Sequence, residues 1–208
     1  MKNILILVLL GMTLWACQES DKPLPILGNH DVDPQTGDTI YHTIPDFTFI
    51  DQDSQVVTNQ TFAGKAYVAD FFFTSCPTIC PKVAQQMLRL EDRYAEDDGL
   101  MLLSHTIDVK HDTIAKLKKY QVGLGANPEK WKFVTGEKAE IYNIANDYMS
   151  IAIEDPRAPG GFDHSGWLIL VDENRHIRAF ANGTDPESVD EFMLDIDKLL
   201  AEGKPQTE

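Results

Sequence analysis

From Pro45 onward the chain switches between two spacings of apolar residues. In PDFTFIDQDSQVVTNQTF, residues 45–62, apolar and polar positions alternate on both sides of a QDS turn, which predicts an antiparallel hairpin. AYVADFFF, residues 66–73, is an unbroken apolar and aromatic run, the mark of a strand covered on both faces. VAQQMLRLEDRYA then places Val83, Met87, Leu90 and Tyr94 at helical spacing, giving one apolar face to pack on a sheet. LMLLSHTI, residues 100–107, predicts a second buried strand. DTIAKLKKYQVG predicts a helix with Asp112 as N-cap, Ile114, Leu117 and Tyr120 on one side, and Gly123 as its stop. WKFVTG is strand-like, EKAEIYNIANDY helical, and MSIAIED alternates like an exposed strand. WLILVDENRHIRAF gives two strands around a DENR turn, and DPESVDEFMLDIDKLLAEG closes as an amphipathic helix with Val189, Phe192, Met193, Ile196 and Leu199 inward.

Strands alternating with helices, then an antiparallel hairpin and a final helix, predict an α/β fold: a mixed central sheet flanked by helices, with an N-terminal β-hairpin extension. That order resembles the thioredoxin fold. There is no internal repeat, so one domain over residues 45–203 holds the periodic pattern and 204–208 form a tail. Within 208 residues, 33 Asp and Glu against 18 Lys and Arg leave a net charge of −15, which repels phosphate backbones. Nucleic acid is therefore not expected as a partner.

Residues 1–16 follow another logic. Lys2 precedes the apolar stretch ILILVLLGMTLWA, which is shorter than the ~20 apolar residues a membrane-spanning helix needs and reads as a secretory signal. The junction Leu14, Trp15, Ala16, Cys17 resembles the lipobox of bacterial lipoproteins, although Trp15 is bulkier than the usual occupant of its place. That resemblance implies lipid on Cys17; the other reading is an uncleaved N-terminal anchor. Either places the domain outside the cytoplasm, held to the cell membrane and facing the periplasm. Residues 17–44, rich in Pro, Asp and Gly, read as a tether leading into the first hairpin.

Setting Cys17 aside leaves two cysteines, Cys76 and Cys80, both in DFFFTSCPTICP. They stand between a buried strand and a helix, where unpaired N–H groups and a positive partial charge favour thiolate over thiol. Pro77 and Pro81 suit a first helical turn because their missing N–H costs nothing there. A spacing of four brings both sulfurs to one face of such a turn. They can close a disulfide when oxidised, or both address one soft metal ion. Spacing alone leaves redox and metal chemistry open.

Two thiolates make an incomplete first-row metal site, so a third ligand has to come from elsewhere. His30 and His42 lie in the expected tether; His111 and His176 sit beside charged residues at expected turns; His105 lies near a strand end. His164, in APGGFDHSGWLILV, falls in a glycine-rich loop directly before a core strand, which in thioredoxin-like folds runs beside the cysteine turn. It is either a ligand or a water-bonded loop histidine. Two sulfurs and one imidazole favour copper, with zinc as the rival.

TSCPTICP, SHTID followed by HDT, and DHSGWLILVD together resemble the Sco (SenC, PrrC) family of membrane-tethered copper proteins, from about Pro45 to the last helix. The resemblance implies a thioredoxin-like fold and one copper ion, Cu(I) or Cu(II), on Cys76, Cys80 and His164. It also implies an upstream copper donor and delivery to the CuA-containing subunit of cytochrome c oxidase. Thr78 stands where the family often has an acidic residue, and Asp108 and Asp112 stand for its DPxxD; these read as a turn and a helix cap. Asp70, six residues before Cys76, resembles the buried proton-relaying aspartate of thioredoxins and would titrate high if buried. It supports the alternative, a thiol-disulfide reductase with Cys76 attacking and Cys80 resolving.

Overall fold

The computed structural model describes residues 22–202. Cys17, the expected signal segment and the 204–208 tail lie outside the described residues. In chain order the elements are β1 (Asp31–Val32), β2 (Thr39–Ile40), β3 (Thr48–Asp51), β4 (Val56–Thr58), β5 (Ala66–Phe72), α1 (Cys80–Arg93), β6 (Leu100–Thr106) and α2 (Ile114–Leu124). They continue with β7 (Trp131–Thr135), α3 (Lys138–Asp147), β8 (Ala152–Glu154), β9 (Phe162–His164), β10 (Trp167–Val171), β11 (Ile177–Asn182) and α4 (Pro186–Glu202). Among the described residues no helix is long and apolar enough to cross a membrane.

Seven strands form one mixed sheet in the order β11-β10-β5-β6-β7-β3-β4. β5, β6 and β7 run parallel, joined by α1 and α2, while β10 lies antiparallel to β5 and β3 to β7. This is the helix-flanked thioredoxin-like architecture read from the periodicity, with the β3–β4 hairpin as its N-terminal extension at one edge. β5 and β6 are buried at every position, as their largely apolar runs predict, and they carry Asp70, Ser104, His105 and Thr106 inside with them. Side chains alternate between faces along β5. Phe72 meets Tyr120 of α2 on one face, and Phe71 meets His105 and Tyr148, the residue after α3, on the other.

Three boundaries differ from the sequence reading. Asp112 does not cap α2: the Thr113 side chain accepts from the Lys116 N–H, and the helix ends at Gly125 with φ of 74°, beyond Gly123. α1 begins at Cys80, so Pro81 lies in its first turn and Pro77 lies outside the helix. The third concerns residues 24–44, read as tether, which are docked on the domain. Leu27 N–H donates to the Ile177 carbonyl (2.8 Å), and Ile44 is fully buried.

Arg178 holds this lead in place. Its guanidinium donates to Asp172 Oδ2 (2.9 Å), Glu202 Oε2 (2.8 Å) and the carbonyls of Leu24 (2.6 Å) and Pro25 (3.2 Å), while Leu24 N–H donates to Glu202 Oε1 (2.7 Å). Ile177 pairs with Val171, which pairs with Tyr67. The lead therefore docks on the β11 edge of the sheet, level with the start of β5, whereas Cys76 follows the end of β5, roughly 20 Å further along the strand direction at 3.3 Å per residue.

Candidate metal centre

After Phe72 the backbone leaves β5 and crosses residues 73–79 without regular structure before α1 starts. Phe73 anchors this crossing: it is fully buried, its ring 4.9 Å from that of Phe162 and 5.4 Å from that of His164. Gly160 makes room for it. A Cβ at Gly160 would stand 2.7 Å from the Phe73 ring, and its φ of +80° is itself a glycine conformation.

His164 reaches the same place from the far side of the chain. It is the last residue of β9, paired with Ala152 of β8, so a short antiparallel hairpin carries it where a loop was expected. Ser165 continues the attachment, its N–H on the Ile151 carbonyl (3.3 Å) and its hydroxyl against that of Ser150 (2.8 Å).

The structure thus brings Cys76, Cys80 and His164 together, each buried, with one potential ligand atom apiece and all three atoms within 4.8 Å of one another. Cys80 Sγ lies 3.0 Å from His164 Nε2, and Cys76 Sγ receives the Cys80 backbone N–H at 3.5 Å. Both cysteines are free thiols. The two sulfurs occupy different electrostatic settings. Burial pushes the Cys76 thiol up, but hydrogen bonds from Cys80 and Thr78 outweigh it and hold the thiol below its ordinary value. Burial pushes the Cys80 thiol well up, and the bond it gives Cys76 adds to this. The helix start serves the cysteine in front of it, since the N–H of its first residue points at Cys76. Burial lowers the His164 pKa, against the opposing charge of Asp163, and keeps the ring neutral and able to ligate.

The fit to a metal ion follows from distances. With bonds of ~2.3 Å to sulfur and ~2.0 Å to nitrogen, ligand atoms around one first-row ion stand about 3.5–4 Å apart. The 3.0 Å Cys80–His164 contact has to open by less than an ångström to meet that, and all three ligand atoms already lie within 4.8 Å of one another. Two thiols, one imidazole and, among the described residues, no fourth ligand in the cluster suit a soft ion that is held and handed on, in contrast to the four-ligand structural zinc site.

The other candidates are placed elsewhere. His105 does not face a sheet edge: it is fully buried, stacked on Phe71 and surrounded by Phe47, Phe49 and Tyr148, and burial takes its pKa to about 3. His111 is exposed on Asp108 (2.8 Å), His176 lies 3.6 Å from Asp172, His30 contacts the Ile26 carbonyl and His42 the Asp147 carbonyl. Asp70 is buried, its carboxylate accepting from Ser104, whose oxygen in turn accepts from Trp131 Nε1. Burial raises the Asp70 pKa to about 7.

Sequence reasoning missed Thr74 and the task of Asp112. The Asp112 carboxylate accepts from the Thr74 N–H (2.8 Å), the Thr74 hydroxyl (2.5 Å) and the Thr106 hydroxyl (2.7 Å). An aspartate before a helical pattern signals a cap first, and only the fold reveals a partner 38 residues away.

Known proteins are similar to this chain in sequence and fold. The SCO1 protein homolog of Bacillus subtilis is 27% identical over 164 residues, 78% of this chain and 85% of its own length. The structure of BsSco, described as a member of the Sco family of cytochrome c oxidase assembly proteins, superposes with a TM-score of 0.66 at 27% identity, covering 76% of this chain and 93% of that one. Arabidopsis thaliana ScoI, solved with copper bound, shares the fold with a TM-score of 0.62 at 23% identity, over 74% of this chain and 98% of its own. The SCO1/SenC family model matches residues 35–201, and the chain belongs to that family.

Proposed function

We propose that this chain is a membrane-anchored copper chaperone. It accepts one copper ion, Cu(I) or Cu(II), from an upstream donor and delivers it to the CuA-containing subunit of cytochrome c oxidase. The observation that carries this reading is the convergence of Cys76, Cys80 and His164 in one buried cluster. Family membership and the copper-bound ScoI structure support it. The cargo meets one thiol held low, one thiol held high and a neutral imidazole, a set that ligates when Cys80 gives up its proton. Lipid on Cys17 would tether the periplasmic domain to the membrane through the lead, which docks at the β11 edge, level with the end of β5 opposite to Cys76.

The second reading, thiol-disulfide reduction, is favoured by Asp70, a buried carboxyl with a pKa of about 7 whose charge acts on the raised Cys80 thiol, and by the lowered Cys76 thiol. In that chemistry the Cys76 thiolate attacks a partner disulfide and Cys80 resolves the mixed disulfide, releasing a reduced partner and leaving a Cys76–Cys80 disulfide. One experiment separates the two. Copper-loaded protein is mixed with the reduced, metal-free CuA domain, and metal-free reduced protein with the same domain oxidised. Copper appearing on the recipient in the first mixture supports the chaperone. Reduction in the second, with no copper moving in the first, would sink it.

A further inference from the structure

We propose that Asp112 is a positioning residue for the metal centre, fixing the turn that carries Cys76. The inference rests on Cys76, Cys80 and His164 acting as ligands.

The three ligands are not held equally. Cys80 is the first residue of α1, and His164 is paired into β9. Cys76 lies on the irregular crossing, where its own backbone N–H reaches only the Phe73 carbonyl, at 3.2 Å. Its sulfur takes the Cys80 N–H, and the rest of its placement depends on whatever holds the crossing. Phe73 is one such hold, through its buried ring. Thr74 is the other, and Asp112 grips both its backbone N–H and its hydroxyl.

Asp112 is placed to do this rigidly. It is 1% exposed. Its Oδ2 also accepts from Thr106, the last residue of β6, which pairs in register with Phe72, the last residue of β5. One carboxylate thus ties the turn to the ends of two central parallel strands. Three donors converge on it; an amide could keep the Thr74 N–H and Thr106 bonds through its oxygen, but only by turning its NH2 to the Thr74 hydroxyl, reversing that bond and giving up the stronger carboxylate acceptor. Thr113 does the capping of α2, which leaves the Asp112 carboxylate to the turn. Groups that hold metal ligands in this way commonly carry 10–100-fold in affinity.

The test measures Cu(I) affinity by chelator competition and, for the Cu(II) form, the sulfur-to-copper charge-transfer absorption. The variants are Asp112→Asn, Thr74→Val, Thr74→Ser and, as a stability control beside the same carboxylate, Thr113→Ala. Asp112→Asn is expected to lose about 10–100-fold in affinity and to alter the absorption. Thr74→Val should fall between it and the parent, and Thr74→Ser should restore the parent values. Thr113→Ala lowers the melting temperature with affinity unchanged. Without metal, amide exchange at Thr74 should quicken in Asp112→Asn. If Asp112→Asn keeps parental affinity and absorption, or if Thr113→Ala loses affinity as strongly, the positioning role is wrong. If the parent binds no copper, the ligand assignment fails instead; unchanged Thr74 exchange in Asp112→Asn then rejects the positioning role separately. Thr74→Val keeps the question decidable should Asp112→Asn fail to fold.

Discussion

Cys80 Sγ and His164 Nε2 stand 3.0 Å apart across 84 residues of sequence, a thiol held high facing an imidazole held neutral. This contact makes the resting site protonated. Copper binding has to displace the Cys80 proton, so affinity is expected to rise with pH. Calorimetry in buffers of different ionisation enthalpy reads the protons released, with at least one per copper at neutral pH. Proton-free binding would contradict the assigned state of Cys80.

Gly160 holds the ring that backs His164. Gly160→Ala meets Phe73 at 2.7 Å and strains a φ of +80°. The expected cost is about 1–3 kcal/mol of stability. Urea unfolding checks it, and a neutral result would mean that Phe73 moves freely.

Arg178 ties the N-terminal lead to Asp172 and Glu202 while almost fully buried. Arg178→Ala leaves two carboxylates and the Leu24 and Pro25 carbonyls without their donor. The expected loss is about 3–5 kcal/mol, with faster proteolysis near Leu24. Unchanged proteolysis would show the lead held by its remaining backbone hydrogen bonds and apolar contacts without Arg178.

Two buried groups act oppositely on pH stability. Asp70 rises from 3.8 to about 7 on folding, so the folded state binds more protons in that interval and this group's contribution is lost as pH rises through it. His105 falls from 6.5 to about 3, so the unfolded state binds more protons there and its contribution is lost as pH falls. Between 3.8 and 6.5 the two slopes oppose. Asp70→Asn removes one, and its stability relative to the parent should climb with pH by up to about 1.4 kcal/mol per unit. Denaturant titrations at several pH values measure this; parallel curves would rule out a raised Asp70.

The fold was largely legible because β5 and β6 are mostly apolar runs and α1 and α4 carry clear apolar faces. Short elements escaped. β9 is only Phe162–His164 in a glycine-rich segment, too brief for any period, and α1 starts three residues before its first apolar contact, Val83. The ligand set could be named from residue types and a family resemblance. The physical basis of the lower Cys76 thiol was not legible, because it depends on a backbone N–H aimed at its sulfur. Asp112 and Thr113 are both good capping residues side by side, and only Thr74, brought near by the end of β5, decides between them.

The central claim is that Cys76, Cys80 and His164 act as one copper site. It is tested most directly by copper stoichiometry of the described domain, residues 22–202, after loading and desalting, in the parent and in His164→Ala. The account predicts about one copper per parent chain and loss of tight binding in His164→Ala, consistent with three protein ligands sharing one ion. Copper binding indifferent to His164, alongside rapid disulfide exchange by Cys76 and Cys80, would contradict it.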